Sequence, residues 1–221
     1  MSKEMTFDKW RDYCFDRPIT KPEWYWDEDL DDYEPESIEL AKYLQQLFSQ
    51  SNKLISLYSD EQINQGLIFI CSIGSNYFHS ARESQVPKNL QLKWVTSIKS
   101  LYSEVFQVKC SNHYGHLSNN LKDSNPINNV CYMFWDIDGL ESAAMFPEHE
   151  YLVDPIFETL TFAISLPNIA CIESALHGLG HLKPYHPKRV ESIINNYLES
   201  PRLITKELEL YAQRAFAAMI L

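Results

Sequence analysis

The chain is poor in the features that mark β-rich and membrane proteins. Only six glycines occur in 221 residues, and strict alternation of apolar and polar residues is rare. Sandwiches and barrels need many tight turns and alternating strands, so the sequence disfavours both. No apolar run reaches the roughly 18 residues of a transmembrane helix. The charged N-terminal stretch also lacks the apolar core of a secretion signal, so a cytoplasmic protein is expected.

Paired cysteines are missing as well. The five cysteines are odd in number, lie far apart and form no C-x-x-C pair. Disulfide frameworks and paired-cysteine zinc sites need closer and more regular spacing than this. Since no export signal is visible, the five thiols are predicted to be reduced and mostly buried.

The sequence also lacks the common catalytic motifs. It contains no G-x-x-x-x-G-K-[ST], no G-x-G-x-x-G and no G-x-S-x-G, so phosphate-binding loops and nucleophile elbows are not indicated. Asp136 and Asp138 could hold Mg²⁺, but a solvated helix end is the favoured interpretation. Cys110, His113 and His116 resemble zinc ligands superficially, and they are interpreted as part of a polar loop. No cofactor is therefore expected.

Basic residues are absent from one stretch in particular. Between Pro22 and Glu39 lie nine acidic residues and no lysine or arginine, and they account for most of the formal net charge of −11. This charge disfavours binding to nucleic-acid phosphates. In the acidic aromatic segment, defined here as residues 18–36, aromatic rings alternate with carboxylates, which suits contact with a basic protein. The predicted partner-binding residues are Trp24, Trp26, Asp27, Glu28, Asp29, Asp31, Asp32 and Glu34. Alternatively, the two tryptophans only pin the segment to the core.

What the chain does contain is helical periodicity. Apolar residues recur at intervals of three and four through most of its length. The pattern predicts helices near residues 6–15, 36–50, 88–108, 151–165, 168–180, 187–199 and 205–221, with another after the capping box that Ser59 begins. The aromatic run VCYMFWDIDGL predicts a short buried helix, although its composition would also permit a strand. An all-α fold of about ten helices in a single domain, residues 1–221, is expected.

The C-terminal part resembles a HEAT-like helical repeat. Ala175, Leu176, Leu179 and Gly180 would end a first helix, and an aliphatic stripe from Val190 to Leu198 would line a second one. The resemblance implies an antiparallel helix stack over residues 150–221. Residues 1–50 are expected to form an irregular N-terminal cap that carries the acidic aromatic segment. The resemblance also implies that Gly180 adopts the left-handed conformation that ends many helices.

A second resemblance concerns the class of protein. The strings CYMFWDI, ACIESALHGLGH and ELELYAQRAF resemble a group of uncharacterised bacterial proteins, and helical acidic proteins of this size resemble immunity proteins that neutralise toxins. A non-enzymatic protein-binding module, of immunity type in its most specific form, is the leading interpretation. The alternatives are a scaffold and a metal-dependent enzyme.

That enzyme would use the string ESALHGLGHL. Glu173, His177 and His181 are spaced four apart, so they could share one helix face and hold a metal ion. However, Gly178 stands where an H-E-x-x-H motif supplies its glutamate, and glycines weaken a helix. The favoured interpretation places His177 in the core and His181 at a helix C-terminus, where the dipole favours a cationic imidazole. No bound metal is expected on this interpretation.

Overall fold

The computed structural model describes residues 6–27, 35–72, 74–115, 117, 124–136 and 139–220, and within them it contains helices and no strands. The α-helices are α1 (Phe7–Phe15), α2 (Ser37–Ser49), α3 (Asn52–Leu57), α4 (Asp60–Cys71), α5 (Tyr77–Ser80), α6 (Lys88–Leu101), α7 (Gln107–Lys109), α8 (Ile127–Met133), α9 (Val153–Ser165), α10 (Ile169–Leu182), α11 (Pro187–Leu198) and α12 (Lys206–Phe216). The prediction of an all-α fold is confirmed. No helix in these residues is long and apolar enough to cross a membrane.

Side-chain caps fix several helix starts where the sequence predicts them. Thr6 accepts from the backbone N–H of Lys9 at the start of α1, and Asn168 accepts from that of Ala170 at the start of α10. Ser59 and Gln62 form the predicted capping box before α4. Each cap satisfies backbone N–H groups that have no partner within the helix.

The capping box gives a first testable prediction. Ser59→Ala removes the acceptor of the Gln62 N–H, which lies 3.2 Å from Ser59 Oγ, and should lower the free energy of unfolding by about 1 kcal/mol. Ser56→Ala is the matched control, since that hydroxyl only donates to the carbonyl of Lys53 within α3. Urea unfolding of both variants measures the difference. Equal midpoints for the two variants would contradict the proposed role of Ser59.

Helix α6 continues through an irregular turn that the periodicity does not predict. A π-helical turn, Tyr102–Phe106, joins α6 to α7, and Tyr102, Val105 and Phe106 are buried there. A π turn adds one residue to the helix and changes which side chains face inward. Here Tyr102 faces the centre of the molecule, where its hydroxyl lies 2.7 Å from Ser174 Oγ on α10.

Helix α10 lies at the centre of the C-terminal half. It packs against α8, α9, α11 and α12, and all of its 14 residues except Ile169 and His181 are buried. Apolar and small residues cover most of its circumference, which suits such a position. The prediction that Gly180 ends this helix is wrong. The helix continues to Leu182, and the absent side chain of Gly180 instead leaves room for Ile220.

The thiols are placed as predicted. None of the five cysteines (Cys14, Cys71, Cys110, Cys131 and Cys171) forms a disulfide, and all are buried. Burial raises the pKa of the Cys14 and Cys131 thiols well above its usual value, because a thiolate is poorly solvated in an apolar core. All five cysteines belong to the hydrophobic core cluster of the described residues.

Candidate functional site

Two histidines meet on the last two turns of α10. His177 is fully buried and His181 is partly exposed. Their spacing places them one turn apart on one helix face, and their Nε2 atoms lie 3.1 Å apart. The rings are nearly perpendicular, with 84° between their planes. At this distance one Nε2–H donates a hydrogen bond to the other Nε2, and with that proton removed both nitrogens would direct a lone pair at the same place.

Asp136, which follows α8, brings a carboxylate to the same place. Its Oδ1 lies 3.3 Å from His181 Nε2, and its Oδ2 lies 4.0 Å from His177 Nε2. The neighbouring Trp135 is fully buried and donates from Nε1 to the hydroxyl of Tyr102 at 2.7 Å. The π turn thus fixes Trp135, and Trp135 holds Asp136 at the edge of the core beside α10.

The far side of the buried imidazole is held by tyrosines. His177 Nδ1 lies 2.7 Å from the hydroxyl of Tyr211 on α12, and Tyr211 is hydrogen-bonded in turn to Tyr132 on α8. The Tyr132 ring also packs on His177, with 4.6 Å between ring centroids. Such contacts fix ring orientation and select the tautomer. With the proton on Nδ1, the lone pair of Nε2 faces His181 and Asp136.

Burial sets the charge state of this cluster. It lowers the pKa of His181, and the nearby carboxylate of Asp136 opposes the shift without cancelling it. Burial also raises the pKa of Tyr211, with smaller contributions from Tyr132, Glu173 and Asp136. The imidazole of His181 is therefore neutral and the phenol of Tyr211 protonated near neutral pH. A cationic His181 at the helix C-terminus, which the sequence suggests, is disfavoured by this pKa direction.

Glu173 has a different position from the one that its spacing suggests. The carboxylate is fully buried one turn before His177. Its Oε2 accepts from the backbone N–H of Gly115 at 2.5 Å, and its Oε1 accepts from that of Leu117 at 2.9 Å. Both oxygens therefore bind backbone N–H groups of the segment that precedes α8. Among the described residues, the only group of three ligands brought together is Asp136, His177 and His181, which leaves Glu173 outside it.

The acidic aromatic segment is partly anchored. A short 3₁₀ turn, Trp24–Trp26, carries its three consecutive aromatic residues. Trp24 is buried, with its ring 4.7 Å from Phe69 of α4, and Tyr25 stacks on the same phenylalanine. Trp26, by contrast, is 67% exposed. The first tryptophan pins the segment to the core, as the alternative interpretation has it, and the second does not.

The structure describes only some of the remaining predicted site residues. Asp27 is exposed next to Trp26, whereas Glu28, Asp29, Asp31, Asp32 and Glu34 lie outside the described residues. His116 and Asp138 also lie outside them. Cys110 is buried and His113 is exposed, and neither belongs to the ligand group.

Comparison with known proteins adds no relative. A scan against protein-family models, a search of curated proteins and a search of solved structures all find no match to this chain. Sequence reasoning missed that Asp136 lies beside the histidine pair, because no periodicity or motif links α8 to α10.

Proposed function

We propose that this protein is a cytoplasmic, non-enzymatic binding module whose acidic aromatic segment holds a basic protein. In the most specific form of this proposal it is an immunity-type inhibitor of a bacterial toxin or nuclease. The helices of residues 150–221 would then serve as a HEAT-like support, with residues 1–50 as a cap that presents the segment. The observation that carries the proposal is the exposed ring of Trp26 on an anchored turn.

The arrangement around Trp26 supports recognition of a partner. Exposing most of an indole ring to water is unfavourable, and tryptophan is prominent among the residues that dominate binding energies. Trp24 and Tyr25 hold the turn against α4, so less conformational freedom is lost when a partner binds. Asp27 adds a carboxylate at the same edge.

The negative charge of the acidic aromatic segment favours a basic partner. The run from Pro22 to Glu39 has nine acidic and no basic residues. A surface of one sign speeds encounter with a partner of the opposite sign, and added salt weakens that attraction. An acidic aromatic surface also suits arginine, which pairs with carboxylates and stacks on indole rings.

The test begins with the partner and continues with matched variants. Protein purified from its own host at low ionic strength should carry one stoichiometric basic protein that high salt releases. Calorimetry with the purified partner should show Trp26→Ala weakening binding by about 30-fold or more, with Phe146→Ala, 51% exposed elsewhere, as the control. The double variant Asp27→Lys/Asp31→Lys should abolish most of the salt-dependent binding, whereas Glu199→Lys/Glu209→Lys should not.

Two results would argue against this function. One is a charge-reversed segment that binds the partner unchanged at low salt. The other is a protein that purifies alone at every ionic strength, which would favour a scaffold whose acidic surface serves only solubility.

A further inference from the structure

We infer that Asp136, His177 and His181 form a binding site for one divalent transition-metal ion, with zinc as the best fit. The site lies between the end of α8 and the last turns of α10. It is independent of the acidic aromatic segment and of the proposed partner.

The distances match the shape of a zinc site. Zinc binds imidazole nitrogen and carboxylate oxygen at about 2.0–2.1 Å in tetrahedral geometry, which places neighbouring ligand atoms about 3.3 Å apart. The two Nε2 atoms are 3.1 Å apart, and Asp136 Oδ1 lies 3.3 Å from His181 Nε2. His177 Nε2 is 4.0 Å from the other carboxylate oxygen, Oδ2, and the three ligand atoms all lie within 4.8 Å of one another. Turning the Asp136 carboxylate would bring one of its oxygens to both imidazoles, as a tetrahedral site requires.

The surroundings of His177 are those of a metal ligand. A histidine that binds metal through one nitrogen usually donates its other N–H to a fixed partner, which orients the ring. Tyr211 lies 2.7 Å from His177 Nδ1 and can accept that hydrogen bond. The hydroxyl of Tyr211 is itself held by Tyr132. The lone pair of His177 Nε2 is thereby directed at the other two ligands.

The chemical types of the three ligands favour zinc over magnesium and calcium. Two imidazoles and one carboxylate suit zinc and its first-row neighbours, whereas Mg²⁺ and Ca²⁺ prefer oxygen ligands alone. The carboxylate also places one negative charge against a divalent cation, so part of the cation's charge would be neutralised at the edge of the core.

The site is open on one side. The side chain of His177 is 1% exposed, but those of His181 and Asp136 are 28% and 38% exposed. Three protein ligands and an accessible fourth position are the pattern of zinc sites that hold water or a small ligand, whereas closed four-ligand sites are structural. Glu173 is committed to the Gly115 and Leu117 amides, so this glutamate does not supply a base to such a water.

Metal titration of the purified, chelator-treated protein tests the inference. We expect one equivalent of Zn²⁺ to bind with about micromolar affinity or tighter. Co²⁺ should give the visible absorption of a tetrahedral nitrogen and oxygen site. Asp136→Asn and His181→Ala should each weaken zinc binding by at least tenfold, and they change partly exposed side chains, so both variants should fold.

Glu173→Gln is the decisive control, because it distinguishes this ligand set from the one that helical spacing suggests. It should keep the wild-type zinc affinity, and so should His113→Ala on the exposed loop. Circular dichroism confirms that each variant is folded. The inference is overturned if wild type binds no zinc, if Asp136→Asn and His181→Ala bind it as tightly as wild type, or if Glu173→Gln alone loses it.

Discussion

Glu173→Ala should lower the free energy of unfolding by about 3 kcal/mol. The substitution removes a buried carboxylate that accepts from the backbone N–H groups of Gly115 and Leu117. Hydrogen bonds to a charged group contribute about 1.5–3 kcal/mol each, and a buried donor without an acceptor is costly. Part of this loss is offset, because folding of the variant no longer removes a carboxylate from water.

Two measurements follow this substitution. Urea unfolding gives the free energy, and hydrogen exchange of the Gly115 and Leu117 amides reports the local change, since both should lose protection. Glu209→Ala on the exposed side of α12 is the matched control, with an expected change within about 0.5 kcal/mol. Protected loop amides in Glu173→Ala would show that another group, and not Glu173, holds the loop.

Gly66→Ala should destabilise the protein by about 2–3 kcal/mol. A Cβ at this position in α4 would lie 2.4 Å from Phe15 Cδ1 and 2.8 Å from the backbone oxygen of Cys14. Alanine favours a helix over glycine by about 1 kcal/mol, but overpacking a core usually costs about 1–3 kcal/mol or more. Here the obstacle includes a backbone carbonyl of α1, which moves only with its whole helix, so the clash outweighs the gain.

Gly180→Ala provides the comparison for this prediction. Its Cβ would also come within 2.5 Å of a neighbour, but the nearest atoms all belong to the side chain of Ile220 near the end of the chain. That side chain can turn away, so a change within about 1 kcal/mol is expected. Thermal and urea unfolding of both variants should rank Gly66→Ala as clearly the less stable. Equal stabilities would mean that α1 and α4 can separate at little cost.

Local sequence signals predicted most helix starts correctly. Ser59 with Gln62, Thr6 and Asn168 lie where short polar side chains can reach unpaired backbone N–H groups. These caps depend on residues only two or three positions apart, and such short-range chemistry can be read from a sequence.

Helix ends and the interior of the helices were harder to predict. Gly180 has the residue type of a helix terminator, yet α10 continues to Leu182, and the space beside this glycine is filled by the side chain of Ile220. One residue type serves two purposes, and only the neighbours decide which applies. The π turn at Tyr102–Phe106 leaves no comparable mark in the apolar pattern.

The residues of the candidate site could be predicted from the sequence only in part. The i, i+4 spacing correctly places His177 and His181 together, since both lie on α10. It also suggests Glu173 as their partner, but this carboxylate bonds to the loop at Gly115. Asp136 joins the histidines only through the packing of α8 against α10. Helical spacing describes one helix, whereas a site between helices depends on tertiary packing.

The five buried thiols can report how often each part of the protein opens to solvent. They are distributed over α1, α4, α8, α10 and the end of α7, and a thiol-reactive reagent attacks only a thiolate that it can reach. The rate at which each cysteine is modified under native conditions therefore measures how often its surroundings open. If all five react at one common rate, the helices open as a single cooperative unit. If Cys14 reacts ahead of Cys171, the N-terminal helices open while the centre of the molecule remains closed.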